Sequence, residues 1–174
     1  QPVHRVEDQR FITGRARFVD DINLPRQAHG ALVTSPHPHA RVGPVDVGKA
    51  LAADGVICVL TGEDFRADGL GGMPPLFMPE DMGGPKGYRA FRPLLASDEV
   101  RYVGDGVAFV VAESAAQARD AIELVEVDYE PLPAAVNAED AMAEGASRIW
   151  EEWTSNMAFP LMLGNKDAAD AAFA

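Results

Sequence analysis

The stretch GVAFVVAESAAQARDAIELVEVDYEPLP, residues 106–133, contains three consecutive patterns that decide the fold of this chain. Its first part, GVAFVVAE, is a continuous apolar run of the kind that forms a buried strand. Ser114 follows and, with Gln117, makes an S-x-x-Q capping box that predicts the start of a helix. The last part, EVDYEPLP, alternates polar and apolar residues and predicts a strand that is ended by proline. Together these patterns predict a βαβ-like unit from Gly106 to Pro131.

Shorter elements surround this unit on both sides. Four further segments have the composition of strands: HGALVTS (29–35), ARVGPVDV (40–47), VICVLTG (56–62) and EVRYVG (99–104). Pro44 places the second of these at a sheet edge or a bulge, and the unbroken apolar run of the third predicts a buried strand. In the fourth, the alternation turns Val100 and Tyr102 toward the interior. Short capped helices are predicted to begin at Asp46 and at Asn137.

The segment from Phe65 to Phe91 has a different texture, because glycine and proline recur through it together with Met73, Met78 and Met82. Glycine and proline oppose both helix and sheet, so no long regular element is expected here. Such a long loop is either a partner-contact or lid loop or a tolerated surface insertion, and the sequence leaves both open. Because strands and short helices are mixed on either side of it, the sequence predicts an α+β fold with a mixed sheet and a few short helices.

The composition is that of an ordinary globular protein of 174 residues, 47% of them hydrophobic and 24% charged. The net charge of −12 opposes binding to nucleic-acid phosphates and to anionic membranes, so neither is expected as a partner. The sequence lacks an apolar run of about 18 residues and starts with a polar segment, so no transmembrane helix or signal peptide is predicted. These features favour the cytoplasm. Cys58, the only cysteine, excludes a disulfide within the chain and is expected to be a buried free thiol.

The segment SPHPHARV, residues 35–42, raises the question of a metal site, because His37 and His39 would share one face of a strand. A zinc site needs three or four ligands in a tetrahedral arrangement, and the remaining histidines are only His4 and His29. The prolines around His37 favour an extended turn instead. We therefore expect both histidines to hydrogen-bond locally within a turn, and we assign no metal ligand.

Other motifs for catalysis or cofactor binding are incomplete. Asp20 and Asp21 are adjacent, so they would point to opposite sides of a strand and are interpreted as turn residues. The glycines of GDGVAF, residues 104–109, precede a strand, whereas a dinucleotide site needs them between a strand and a helix. The sequence has no G-x-S-x-G elbow, and none of its lysines fits the exposed hairpin tip of a lipoate or biotin carrier; they are Lys49, Lys86 and Lys166. We assign no catalytic or cofactor-binding residue.

Four blocks in a fixed order carry a resemblance to a known family: TGRARFVDDINLP to HGALVTSPHPHARV (13–42), GVICVLTGED (55–64), RPLLASDEVRYVGDGVAFVVAES (92–114) and AIELVEVDYEPLPAAVNAEDAM (121–142). Together they resemble the N-terminal α/β hammerhead domain of the molybdenum-binding large subunit of the molybdenum hydroxylases. That family includes xanthine dehydrogenase, aldehyde oxidase and aerobic carbon monoxide dehydrogenase, and the last branch is the most similar. The resemblance implies a hammerhead domain at residues 1–145, followed at 146–174 by a linker and the truncated start of a molybdopterin-binding domain.

The resemblance also implies a function for the parent subunit, which would be a molybdenum-dependent oxidoreductase, whereas this segment would be structural and inactive alone. The molybdenum–pterin cofactor and the catalytic glutamate would lie in downstream domains of the same polypeptide. The [2Fe-2S] clusters and FAD would belong to partner subunits. A second hypothesis, from a different class of protein, is a stand-alone binding or scaffold module with the hammerhead fold, whose loop at 65–91 would contact a partner.

Overall fold

The computed structural model describes residues 3, 5–161 and 164–173, in which six strands form two separate three-stranded sheets. The strands are β1 (His29–Thr34), β2 (Ala40–Asp46), β3 (Val56–Thr61), β4 (Glu99–Val100), β5 (Gly106–Ala112) and β6 (Glu126–Pro131). The α-helices are α1 (Asp8–Ile12), α2 (Gly48–Leu51), α3 (Gly62–Ala67), α4 (Ala115–Ile122), α5 (Ala138–Ala141) and α6 (Lys166–Phe173). Within these ranges no helix is long and apolar enough to cross a membrane. His4, considered above as a possible ligand, lies outside the described residues.

The first sheet has the order β1–β5–β3, and both neighbours of the central strand run antiparallel to it. Four residues of β5 are fully buried, which confirms the prediction from its apolar run: Val107, Ala108, Val110 and Ala112. Ala108 and Val110 pack in a core cluster with Ala121 of α4 and Val59 of β3. Val107, on the opposite face of the strand, packs in a second cluster with residues of the other sheet. Strand β5 therefore contributes to the core from both of its faces.

The second sheet has the order β4–β2–β6, again with antiparallel neighbours. Val42 pairs with Tyr129 and Val45 with Val127, so two residues of β2 face a single residue of β6. Pro44 is one of the two residues between those pairs, where the ladder does not need an N–H group. The predicted bulge at Pro44 is confirmed, and it interrupts the central strand of the sheet.

The βαβ-like unit has the predicted elements but not the predicted pairing, because β5 and β6 belong to different sheets. Strands of a parallel sheet are buried on both faces and read as continuous apolar runs, whereas β6 alternates. Its residues Val127 and Tyr129 are half-buried between exposed neighbours, which suits an antiparallel strand with one face in water. Helix α4 therefore carries the chain from the first sheet to the second. The α+β class with a few short helices is confirmed, whereas the predicted mixed sheet is replaced by two sheets with antiparallel pairs throughout.

The start of α4 is the predicted one. The hydroxyl oxygen of Ser114 accepts the N–H of Gln117 at 3.3 Å and donates to the carboxamide oxygen of the same glutamine at 2.7 Å. Only half of the capping box forms, because that carboxamide bonds the serine hydroxyl. Ala118 and Ala121 are then placed on the buried face of the helix. Asn137 caps α5 in the same way, since its side-chain oxygen accepts the N–H of Glu139 at 3.0 Å.

The predicted burial of β3 is wrong for most of the strand. Val59 is buried, but Ile57 is 57% exposed and Cys58 is half-buried, so the expectation of a buried thiol is not met. The reason is that β3 is an edge strand, paired with β5 on one side only. An apolar run reports hydrophobicity and carries no information on whether a second layer covers the strand.

The segment EVRYVG forms a shorter strand than predicted, because β4 ends at Val100. The Asp105 carboxylate accepts the N–H of Arg101 at 3.0 Å, and the N–H of Asp105 donates to the carbonyl of Tyr102 at 3.1 Å. Gly104 supplies the positive φ of +96° that this turn requires. Val100 is fully buried as predicted, whereas Tyr102 is exposed.

Replacing Val110 with alanine is expected to lower the free energy of unfolding by about 1–3 kcal/mol, because it removes buried methyl groups and leaves a cavity in the central strand. The matched control is Val103→Ala in the exposed turn after β4, which should change stability by less than about 0.5 kcal/mol. Urea denaturation followed by far-ultraviolet circular dichroism measures both. Equal effects of the two substitutions would contradict the central role of β5.

Candidate functional site

The long loop from Phe65 to Phe91 packs against residues 147–161, the other segment without a strong sequence pattern. The N–H of Tyr88 donates to the carbonyl of Ala158 at 2.7 Å. Gly87 lies so close to this segment that a Cβ added there would be 3.0 Å from the same carbonyl oxygen. The loop is therefore held by a contact within this chain.

An aromatic clamp, defined here as Tyr88, Arg101, Trp150 and Trp153, fixes the two segments to each other. The ring of Tyr88 stacks on Trp153 with centroids 5.1 Å apart and meets Trp150 edge-on at 5.8 Å. The guanidinium of Arg101 lies 3.9 Å from the centroid of Trp150, which is a cation–π contact. Aromatic pairs of this kind contribute about 0.5–1.5 kcal/mol each beyond the burial of their surface.

Arg101 connects the clamp to the second sheet. Its guanidinium donates to a Glu99 carboxylate oxygen at 2.8 Å, to the Glu99 carbonyl at 3.3 Å and to the Ile149 carbonyl at 3.3 Å. The side chains of Arg101 and Glu99 are only 21% and 20% exposed, so this ion pair is screened less than a surface pair. A planar guanidinium can bond these groups and stack on an indole at the same time, which a lysine cannot do.

His39 is buried next to this ion pair. Its Nδ1 lies 2.8 Å from the Pro133 carbonyl oxygen, and its Nε2 lies 3.7 Å from the nearer Glu99 oxygen. Within the described part of the chain, Nε2 has no hydrogen-bond partner. His37 instead contacts the ring of Tyr129, with centroids 5.0 Å apart. The two histidines thus have separate surroundings.

The prediction of two locally bonded turn histidines is correct for one of them. The N–H of His37 donates to the Ser35 hydroxyl at 3.0 Å, which is a local turn contact. His39 bonds a residue 94 positions away, so the local interpretation is wrong there. Among the described residues, no group of three or more His, Cys, Asp or Glu side chains is arranged to hold a metal ion.

The other residues considered from the sequence have structural contacts. The Asp21 carboxylate accepts the N–H of Phe18 at 2.8 Å, and Asp20 lies in the same 3-10 helix, which confirms both as turn residues. Lys49 forms an ion pair with Glu126, whose hydrogen bond and charge raise the pKa of the lysine. A Cβ at Gly106 would meet Leu32 at 3.1 Å, so this glycine serves the packing of the sheet.

A cavity of about 270 Å³ lies beside the clamp, and the residues that give it its character are Phe65, Arg66, Leu70, Asp98, Arg101 and Trp150. Its charged groups already have partners. Arg66 contacts Asp98 at 2.7 Å and Arg101 contacts Glu99 at 2.8 Å, while Glu152 accepts a hydrogen bond from the Tyr88 hydroxyl. The Arg66–Asp98 pair joins α3 to the residue before β4, whereas the Arg101–Glu99 pair joins the first residue of β4 to the residue after that strand. The arrangement is therefore suited to holding segments together.

Sequence reasoning missed the clamp entirely. One signal was available, because Trp150 and Trp153 are the only two tryptophans and stand three positions apart in an otherwise polar stretch. Their partners, Tyr88 and Arg101, lie far away in sequence with no periodic relation to them. Two neighbouring tryptophans are typical of a packing site, but the residues that they contact are evident only in the fold.

Tyr88→Ala is expected to lower the stability of the clamp by about 1–3 kcal/mol, because it removes both ring contacts to tryptophan. Tryptophan fluorescence reports on the clamp alone, so its urea midpoint should fall further than the midpoint from circular dichroism. Leu76→Ala, a fully exposed position in the same loop, is the control and should leave both midpoints unchanged. An unchanged fluorescence midpoint in Tyr88→Ala would show that the clamp contributes nothing.

The hydroxyl of Tyr88 should ionise far above the ordinary range for tyrosine. Burial, the hydrogen bond to Glu152 and the charge of that carboxylate raise the pKa of Tyr88 from 10.0 to about 12. Because the fold favours the neutral hydroxyl, this contribution to stability is complete below pH 10 and is lost as the pH rises toward 12. In a titration followed by tyrosinate absorbance, the unsubstituted protein should show a step near pH 12 that Tyr88→Phe lacks. If the step lost in Tyr88→Phe lies near pH 10 instead, the contact with Glu152 is contradicted.

Comparison with known proteins places this fold in a family. Residues 13–133 match the family model described as "Aldehyde oxidase and xanthine dehydrogenase, a/b hammerhead domain". The matched region contains both sheets and Arg101 but ends before Trp150 and Trp153. The part of the chain that the family model covers is therefore the six strands together with helices α2, α3 and α4.

Individual relatives match nearly the whole chain. The carbon monoxide dehydrogenase large chain of Afipia carboxidovorans is 39% identical over 98% of this chain and 21% of its own length. The crystal structure of the Cu,Mo-CO dehydrogenase in its carbon monoxide reduced state has a TM-score of 0.75 and 38% identity, over 98% of this chain and 22% of that one. Quinoline 2-oxidoreductase from Pseudomonas putida 86 has a TM-score of 0.76 and 39% identity, over 88% of this chain and 19% of that one.

This chain thus spans about one fifth of the length of the relatives it matches. Their identity exceeds 30% and the family model covers more than half of the chain, so the assignment does not depend on the fold alone. The chain belongs to the aldehyde oxidase and xanthine dehydrogenase family and contains its α/β hammerhead domain.

Proposed function

We propose that this chain is the N-terminal structural domain of the large subunit of a molybdenum hydroxylase of the carbon monoxide dehydrogenase-like kind. The observation that carries the proposal is the match to the hammerhead family model together with the coverage of only about one fifth of each relative. The parent subunit would be the oxidoreductase, and this segment would be inactive on its own. Its residues 1–145 would form the hammerhead domain, and 146–174 a linker and the start of the next domain.

The exposed apolar surface supports a role inside a larger assembly. Several large hydrophobic side chains are more than 70% exposed, among them Ile12, Val19, Leu76, Met82 and Val136. Isolated apolar residues are common on any protein surface, but here they recur from the N-terminal segment through the loop to the residues after β6. Such a distribution is expected of a domain that other parts of a protein cover.

The parent enzyme would contain a molybdenum–pterin cofactor, in keeping with its similarity to a Cu,Mo-CO dehydrogenase, and this cofactor would bind outside this segment. The donor set described here does not fit a metal centre, because no group of three potential ligands converges among the described residues. His39 has one ring nitrogen bonded to Pro133, and Cys58 is a half-buried thiol in an edge strand. We propose that the residues for catalysis, cofactor binding and metal binding lie in other parts of the parent enzyme.

The partners follow from the same proposal. The downstream molybdopterin-binding domains of the same polypeptide would pack against this domain, and subunits with [2Fe-2S] clusters and FAD would receive the electrons. The parent enzyme would hydroxylate or oxidise a small substrate with oxygen from water, in the cytoplasm. The net charge of −12 argues against nucleic acid as a further partner.

In the parent enzyme, this chain would keep the domains that pack on it in fixed positions. The Arg101 ion pair and the aromatic clamp fix the loop and residues 147–161 to the second sheet. A cofactor domain that packs on those segments would inherit their rigidity, which matters because a small displacement of catalytic groups is costly. Substrate specificity would be determined by the rest of the protein. A relative named for carbon monoxide and one named for quinoline are each 39% identical to this chain.

The proposal predicts a contrast between the 174-residue chain and the full-length gene product. The purified chain should contain no molybdenum and should not reduce a dye acceptor, whereas the full-length subunit with its partners should do both. Elemental analysis and a dye-reduction assay over a panel of small aldehydes, N-heterocycles and carbon monoxide measure this.

Two outcomes would overturn the proposal. Turnover by the isolated chain would place catalytic residues within it. A full-length product that is only this long, without molybdenum, would favour the stand-alone scaffold hypothesis, and the loop at 65–91 would then be its contact surface.

A further inference from the structure

The three rings of the aromatic clamp are in contact, and Tyr88 touches both tryptophans. Its ring stacks on Trp153 with centroids 5.1 Å apart and meets Trp150 at 5.8 Å. Tryptophan and tyrosine are the aromatic side chains that lose an electron most readily, and electrons pass rapidly between rings in contact. An oxidation that begins on either tryptophan can therefore reach Tyr88 in a single step.

The hydrogen bonds of these rings differ in their ability to accept a proton. The Tyr88 hydroxyl donates to a carboxylate oxygen of Glu152, and this bond lowers the pKa of Glu152, so the acceptor is an ionised base at neutral pH. The indole N–H of Trp153 donates instead to the carbonyl of Met157 at 2.9 Å, and a peptide carbonyl is too weak a base to take a proton. A tyrosine that loses an electron must also lose its hydroxyl proton, and among these groups only Glu152 is a base positioned to receive it.

The charge of Arg101 opposes oxidation of Trp150. The guanidinium lies 3.9 Å from the centroid of this ring, where it is attracted to the electron-rich face. Removal of an electron from Trp150 would place a second positive charge beside the guanidinium, whose side chain is only 21% exposed. At neutral pH, a tyrosine that loses its proton together with the electron is oxidised slightly more easily than a tryptophan. Each of these effects favours Tyr88 as the end point of an oxidation.

We propose that the aromatic clamp has a redox activity, in which Tyr88 collects one-electron oxidation from Trp150 and Trp153 while Glu152 takes up the hydroxyl proton. The oxidants that this step uses are small oxygen-derived radicals such as the carbonate radical, which takes one electron from a tryptophan and becomes carbonate. Tyr88 then gives one electron to that tryptophan. Its proton moves to Glu152, which leaves a neutral phenoxyl radical hydrogen-bonded to a neutral carboxylic acid.

This activity protects the clamp itself. Oxygenation of an indole is irreversible and would destroy the packing of Trp150 and Trp153, whereas a phenoxyl radical on Tyr88 returns to tyrosine when it regains one electron and one proton. The activity goes beyond the function proposed above and does not depend on it, because it uses only contacts within the clamp and with Glu152.

Oxidation of the full-length gene product by carbonate radicals, generated by radiolysis in the presence of a nitrone spin trap, tests the proposal. Peptide mass spectrometry then measures the amount of trap bound at each tyrosine and tryptophan. In the unsubstituted protein, Tyr88 should bind more trap than Tyr102, although Tyr102 is 59% exposed and Tyr88 is half-buried. More trap at Tyr102 than at Tyr88, or none on the rings of the clamp, would overturn the proposal.

Two substitutions separate internal transfer from direct attack on each ring. Tyr88→Phe keeps the ring and removes only the hydroxyl, so the trap bound at Trp150 and Trp153 should rise severalfold. Glu152→Gln keeps the size of the side chain and removes the base, so it should give the same rise together with less trap at Tyr88. Tyr102→Phe is the matched control and should leave these amounts unchanged, since among the described residues Tyr102 forms no aromatic pair.

Other results contradict the proposal. Unchanged amounts at both tryptophans in Tyr88→Phe would show that each ring is attacked separately. Unchanged amounts in Glu152→Gln would show that the carboxylate takes no proton. Tryptophan fluorescence before oxidation shows whether the clamp of each variant is intact, and the comparison of Tyr88 with Tyr102 in the unsubstituted protein tests the end point without any variant.

Discussion

Burial of β5 on both faces is the constraint on which the rest of this fold depends. Its edges are paired with β1 and β3, so its backbone groups are satisfied, and its side chains reach both core clusters. A fully buried valine contributes roughly 1.5–3 kcal/mol, and β5 has two such valines with no exposed position. Helix α4 covers one face through Ala121, while the second sheet covers the other face, where its residue Val100 packs in one cluster with Val107 of β5. The remaining elements are placed relative to this strand.

The sequence predicts those features whose information is local. The run of β5, the Ser114 cap and the bulge at Pro44 each follow from neighbouring residues, because burial, capping and a missing N–H act over a few positions. Pairing between strands is not local. An apolar run does not tell whether a strand is central or at an edge, so the predicted burial is correct for β5 and wrong for β3, although both strands form where predicted. The same limit led to a βαβ-like unit whose two strands lie in different sheets.

The candidate site was beyond prediction for a related reason. Its contacts join residues that are far apart in sequence, such as His39 with Pro133 and Arg101 with Ile149, which are 94 and 48 positions apart. Arginine, tryptophan and tyrosine side chains each make several kinds of contact, so the residue type alone does not show which partner it will have. The histidine pair, which looked like a metal motif, separates into a turn contact and a buried long-range hydrogen bond. The closeness of His37 and His39 in sequence suggested a metal site, but in the fold each histidine packs against a different part of the protein.

The pattern of similarity to other proteins fits a domain under structural constraint. Enzymes named for carbon monoxide and for quinoline are 39% identical to this chain alike, although the molecules they are named for share no recognition chemistry. Residues that contact a substrate would be expected to diverge with it. Burial of β5, the Arg101 ion pair and the bulge of β2 are all contacts between parts of the protein itself. A domain built on such features can serve enzymes of different specificity, provided that its surface fits the domains it supports.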